Sequence, residues 1–132
     1  MRFIHHMLVA ATAVASLTIM AQAAEHTKDS LPTVKDNVEK GKAVLVDVRE
    51  KKEWDEGHID GAIFLPLSAI QAGLSKDQLA KLPKDKVIYC HCAAGKRALT
   101  AGNTIEKLGF TVRPLQPGYK DLVAAGLPKA KD

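Results

Sequence analysis

The stretch Cys92-Ala93-Ala94-Gly95-Lys96-Arg97 combines residue types whose order can do chemistry: a thiol, three small residues, then two cations. Ala93, Ala94 and Gly95 let the main chain curl tightly and turn successive amide N–H groups inward, which makes a concavity for an anion. A helix predicted to begin at about Ala98 would add further donors and the positive end of its dipole. Lys96 and Arg97 add two full charges. Such surroundings favour the thiolate over the thiol, and the thiolate is the nucleophile. The loop is therefore expected to hold an ionised sulfur at Cys92. Its amides and cations, from Ala93, Ala94 and Gly95 through Lys96 and Arg97 to Ala98, are expected to bind an anionic substrate beside that sulfur.

The loop needs a frame that places a strand before it and a helix after it. Val87-Ile88-Tyr89-Cys90 reads as a buried strand, and Ala98 to Leu108 as a helix with Ala98, Ala101, Ile105 and Leu108 on one stripe. Upstream, Ala43-Val44-Leu45-Val46 and Ala62-Ile63-Phe64-Leu65 are short apolar, β-branched runs typical of strands covered on both faces. A fourth strand starts at Phe110-Thr111-Val112. Between these lie short helices. One is capped by Thr33, one covers Glu50 to Glu56, two carry capping-box spacing at Ser68/Gln71 and Ser75/Gln78, and one runs from Tyr119 to Ala125. Strands alternating with helices imply an α/β domain, a mostly parallel central sheet flanked by helices on both faces. In such sheets a site lies beyond the C-terminal strand ends, where the Cys92 loop falls.

The chain has 132 residues and a net charge of +4 with histidine neutral. Residues 1–23 read as a cleavable secretory signal: Arg2, an apolar run from Met7 to Met20, and Ala21-Gln22-Ala23 as the small-x-small site. Cleavage after Ala23 leaves 109 residues at +3, enough for one domain with its own core. Residues 24–31 read as a polar, flexible leader and 32–132 as the domain. The expected location is the periplasm, with no membrane attachment once the signal is removed. The lysines are scattered and no basic run is interleaved with aromatics, so nucleic acid is not an expected partner. A monomer is expected.

Cys90 and Cys92 are the only two cysteines, which excludes a disulfide scaffold. In an extended strand they would stand nearly 7 Å apart (~3.3 Å rise per residue), at or beyond the limit for bridging each other. At least one free thiol in an oxidising compartment points to reactivity.

Taken together, these residues resemble the single-domain rhodanese family, most closely its small periplasmic members. Three stretches carry the likeness: Leu45-Val46-Asp47-Val48-Arg49 with Glu53-Trp54 and Gly57-His58-Ile59-Asp60-Gly61-Ala62; Val87-Ile88-Tyr89 leading to Cys92-x-x-Gly95-x-Arg97-Ala98; and Gly109-Phe110-Thr111-Val112, Gly118 and Ala125-Gly126-Leu127-Pro128. The resemblance implies a thiosulfate sulfurtransferase that works through a persulfide on Cys92, needs no metal or organic cofactor, and passes its sulfur to cyanide or a thiol. The mercaptopyruvate branch of the family has small neutral and hydroxyl residues where this chain has Lys96 and Arg97, so thiosulfate is the expected donor.

Supporting roles are expected for five further residues. Asp47 should end a strand and bond nearby backbone N–H groups, Arg49 should pair with an acid such as Glu53, and His58 should order the turn after Gly57. Cys90 and His91 depart from the commoner single-cysteine pattern. Cys90 is expected inside the sheet and His91 near the loop entrance. A sharper alternative lets Cys90 attack an oxidised or persulfidated Cys92. A metal site on Cys90, His91 and Cys92 would need a distorted backbone and a fourth ligand with no obvious source. Tyr119 replaces a common tryptophan, and Pro117-Gly118 replaces paired glycines. Two rival functions remain: a sulfur carrier or thiol-redox module acting with a protein partner, and a cysteine phosphatase or arsenate reductase. The second needs Cys-x5-Arg. Four residues separate Cys92 from Arg97, six separate Cys90 from Arg97, and only Cys90 to Lys96 gives five, where lysine lacks the arginine fork.

Overall fold

The computed structural model describes residues 10–16 and 24–131. The expected cleavage point at Ala23 lies outside the described residues. Among the described residues no helix is long and apolar enough to cross a membrane.

Four parallel strands form the sheet: β1 (Ala43–Asp47), β2 (Ile63–Phe64), β3 (Val87–His91) and β4 (Val112–Pro114), in the order β2-β1-β3-β4. The helices are α1 (Leu31–Glu39), α2 (Lys51–Glu56), α3 (Leu67–Ala72), α4 (Lys76–Ala80), α5 (Lys96–Lys107) and α6 (Tyr119–Ala124). Side chains of a strand alternate between faces, and both central strands are apolar on both faces for that reason. Val44, Val46, Ile88, Cys90 and Cys92 join Ile70 of α3 and Ala98, Ala101 and Ile105 of α5. Ala43, Leu45 and Tyr89 join Val34 of α1 and Leu122 of α6 on the other side. Each fully buried Leu, Ile or Val contributes about 1.5–3 kcal/mol, so the two layers clamp β1 and β3 and leave their C-terminal ends as a firm ledge.

Several local expectations are corrected. The first helix is capped one turn earlier, by Ser30, whose hydroxyl accepts the Thr33 N–H. The Ser68 capping box does not form, because Pro66 occupies the cap position of α3 and the Ser68 hydroxyl donates to Glu50. The Ser75/Gln78 box forms in full. Helix α5 begins at Lys96 rather than Ala98, since Gly95 already adopts the left-handed conformation (φ +95°) that turns the chain into it. Residues 24–31, read as a flexible leader, are tied to the domain, and Leu31 already opens α1. Thr27 N–H donates to the Pro114 carbonyl (2.8 Å), and Asp29 takes bonds from the Tyr89 hydroxyl (2.6 Å) and Arg113 (2.9 Å). Burial and Asp29 raise the Tyr89 phenol, while Tyr89 and Arg113 hold the Asp29 carboxyl below its ordinary value.

Candidate active site

Cys92 is the first residue beyond β3 and is 1% exposed. Its Sγ accepts the N–H of Gly95 at 3.0 Å and that of Ala98 at 3.4 Å. Two main-chain donors, one from the turn and one from the first turn of α5, therefore point at one sulfur. Such preset dipoles stabilise negative charge without reorganising when it develops. Ala93, Ala94 and Lys96 are the exposed members of the loop. Beside them opens a groove of about 580 Å³ lined by Leu31, Ala93, Ala94, Gln116, Pro117 and Asp121.

The loop is closed from behind by the Gln116–Tyr119 segment. Tyr119 N–H donates to the Cys92 carbonyl (2.9 Å), and Leu115 N–H donates to that of Cys90 (2.9 Å). A Cβ at Gly118 would stand 1.8 Å from the Ala93 carbonyl oxygen, and one at Gly95 would stand 2.9 Å from that of Gln116. Both glycines are therefore required by the space between two backbones.

The charged residues sort differently from the sequence-based expectation. Arg97 does not lie free at the mouth. Its guanidinium makes a two-pronged pair with Glu53 of α2 (2.6 and 2.9 Å), which lowers the Glu53 carboxyl. Arg49 is consequently not the partner of Glu53. It is buried and forks onto Asp47 (2.8–3.1 Å), donates to the Gly57 carbonyl (2.7 Å), and lies 4.1 Å from the Tyr119 ring centroid. Asp47 also accepts the Arg49 N–H (2.9 Å). Burial alone would raise the Asp47 carboxyl, but the adjacent His91 and Arg49 hold it well below the usual carboxylate range.

His91 is fully buried, not at the loop entrance. The alternation of β3 turns it to the face opposite Cys90 and Cys92, opposite Asp47 in register. Its Nε2 is 3.5 Å from Asp47 Oδ2, and neither ring nitrogen makes a hydrogen bond. Its influence on Asp47 is thus one of proximity, and Arg49 supplies the bonds. Cys90 is fully buried, its thiol pushed up to about 12 by burial, and its S–H donates to the Ala98 carbonyl (3.2 Å). Ala98 thereby links both sulfurs, donating to one and accepting from the other. His58 stacks on Trp54 (centroids 3.6 Å apart) and donates from Nδ1 to the Trp54 carbonyl (3.0 Å), which ties the turn to α2. Glu53 and Gly118 were not singled out from sequence as contributors to the site. Their partners lie 44 and about 25 residues away, and no local pattern signals either contact.

Residues 30–125 match the Rhodanese-like domain family. The chain is 39% identical over 92 residues to the probable adenylyltransferase/sulfurtransferase MoeZ of Mycobacterium tuberculosis, covering 69% of this chain and 23% of that protein. It is 33% identical over 91 residues to the human thiosulfate:glutathione sulfurtransferase, covering 62% of this chain and 79% of that one. Among solved structures, the human single-domain sulfurtransferase TSTD1 superposes with a TM-score of 0.60 at 27% identity, over 79% of this chain and 97% of that one. The chain thus spans about a quarter of the MoeZ relative and most of the single-domain ones.

Proposed function

Because the chain belongs to the rhodanese-like domain family, whose members here include sulfurtransferases, we propose that it moves a sulfane sulfur from thiosulfate to cyanide or a thiol through a persulfide on Cys92. The observation that carries this reading is the pair of N–H donors, Gly95 and Ala98, aimed at Cys92 Sγ. In the first half-reaction the Cys92 thiolate attacks the outer sulfur of thiosulfate. A Cys92 S–S bond forms, the S–S bond of the donor breaks, and sulfite leaves with the electron pair. The outer sulfur keeps one negative charge, which the loop amides stabilise. In the second, cyanide or a thiolate attacks that outer sulfur, the persulfide bond breaks, and Cys92 returns as thiolate. Two half-reactions on one nucleophile give ping-pong kinetics. The exposed Lys96 is a cation of the loop that can draw in the dianionic donor. Export to the periplasm belongs to the same proposal and rests on the signal pattern in residues 1–23.

Intact mass after thiosulfate treatment tests the reading. One added sulfur is expected on the wild type and on Cys90→Ala, and none on Cys92→Ala. Loading retained without Cys92 moves the nucleophile elsewhere. Loading that discharges only to a protein thiol, not to cyanide, favours a sulfur carrier over an enzyme.

A further inference from the structure

Residues 24–29 precede the stretch that matches the family, yet they cross the back of the sulfur-holding loop. His26 Nε2 donates to the Gly95 carbonyl at 2.8 Å. Gly95 supplies the shorter of the two N–H contacts to Cys92 Sγ, and its carbonyl also accepts Leu99 N–H, the first main-chain bond of α5. Further bonds anchor the segment on both sides of His26: Ala24 N–H with Asn103 Oδ1 of α5 (3.4 Å), Thr27 N–H with the Pro114 carbonyl at the end of β4, and Asp29 with Tyr89 and Arg113. His26 is half-buried, and its ring nitrogen stands 3.1 Å from where a Gly95 side chain would begin.

We propose that residues 24–29 form a strap and that His26 is a positioning residue for Cys92, acting through Gly95. The inference rests on Cys92 being the reacting sulfur. Gly95 sits in a left-handed conformation (φ +95°), and a glycine has more freedom than any other residue to leave it. The Leu99 bond restrains the following peptide from inside the helix, and the His26 bond restrains it from outside. With both made, the Gly95 N–H is held toward the sulfur. With the outer bond absent, the loop samples orientations in which that donor turns away. The loop that carries the chemistry is thus braced by a segment that precedes the residues matched to the family.

The test uses the full chain and the variants His26→Ala, His26→Phe and His26→Gln. The phenylalanine keeps the ring and loses the donor, and the glutamine places an amide N–H near the position of Nε2. Two readouts are taken: sulfur loading from thiosulfate by intact mass, and the rate of Cys92 alkylation by iodoacetamide at about pH 7 divided by that at about pH 10. The expected result is a ratio lowered roughly two- to tenfold in His26→Ala and in His26→Phe, the range of one hydrogen bond, with His26→Gln within about twofold of wild type. A ratio equal to wild type in both donor-less variants overturns the inference, as does a loss that glutamine fails to restore. A wild type that takes up no sulfur overturns the persulfide reading instead, and the alkylation ratio still decides the role of His26.

Discussion

Arg97 and Glu53, 44 residues apart in sequence, are joined by two bonds of 2.6 and 2.9 Å. The pair fastens the start of α5 to α2, and so holds one wall of the sulfur loop against the element that follows β1. Both side chains are one-third exposed, so its value is geometric more than energetic, as with most pairs that water reaches.

Arg97→Lys is therefore expected to lower turnover with thiosulfate, because a point charge cannot reproduce the planar fork. Lys96→Ala is expected to act on binding instead, raising KM for thiosulfate roughly two- to fivefold with kcat little changed, the scale of one exposed charge interaction. Steady-state kinetics of the two variants separates positioning from attraction. An unchanged KM in Lys96→Ala would remove that lysine from donor binding.

Gly118→Ala should be among the most damaging small substitutions in the chain, since its new Cβ would fall 1.8 Å from the Ala93 carbonyl oxygen. Overpacking against side chains costs about 1–3 kcal/mol, and here the obstacle is main chain that can move only by displacing Cys92. Gly61→Ala meets nothing within 4 Å and has only its positive φ against it (+79°), so about 1–2 kcal/mol is expected. Urea midpoints of both variants give the comparison. A Gly118→Ala protein as stable as Gly61→Ala would contradict this packing.

Cys90 predicts an alkaline weakness. Its thiol is pushed up to about 12 by burial, whereas an unfolded cysteine titrates at about 8.5. The folded state holds a proton that the unfolded state releases, so this contribution is whole below about pH 8.5 and falls progressively as pH rises toward the buried value. Chemical denaturation across that interval should show a steeper loss in the wild type than in Cys90→Ala. Equal slopes would refute a buried, protonated thiol.

Asp47 predicts the opposite dependence at low pH. Its carboxyl is held far down by His91 and Arg49 against the effect of burial. Its contribution is present above the unfolded value of about 3.9 and drains away as pH falls below it. Asp47→Asn leaves the buried Arg49 without its counter-charge, which costs about 3–5 kcal/mol for such pairs. Its stability should also vary less with pH below about 4 than that of the wild type. A variant with wild-type stability at neutral pH would show that Arg49 finds another partner.

Much of the fold could be read locally. The apolar runs at Ala43–Val46 and Val87–Cys90 announced two-faced strands because each residue in them meets a core layer, and the small-residue turn after Cys92 announced a concave backbone. These depend on neighbours a few positions away, which is what periodicity and turn chemistry report. The partners of the charged residues could not be ranked from spacing. Arg49 was expected on Glu53, but it forks onto Asp47, two residues before it, because Glu53 is taken by Arg97 from 44 residues away. His91 was expected at the loop entrance, but one step of strand alternation turns it into the opposite core. Sequence by itself determined which residues form the sulfur loop and what dipoles the loop can present. Tertiary structure decided which long-range groups brace it, because His26, Glu53 and Gly118 meet it only after the sheet has stacked its strands, and contacts made by stacking leave no mark on the spacing of residues along the chain.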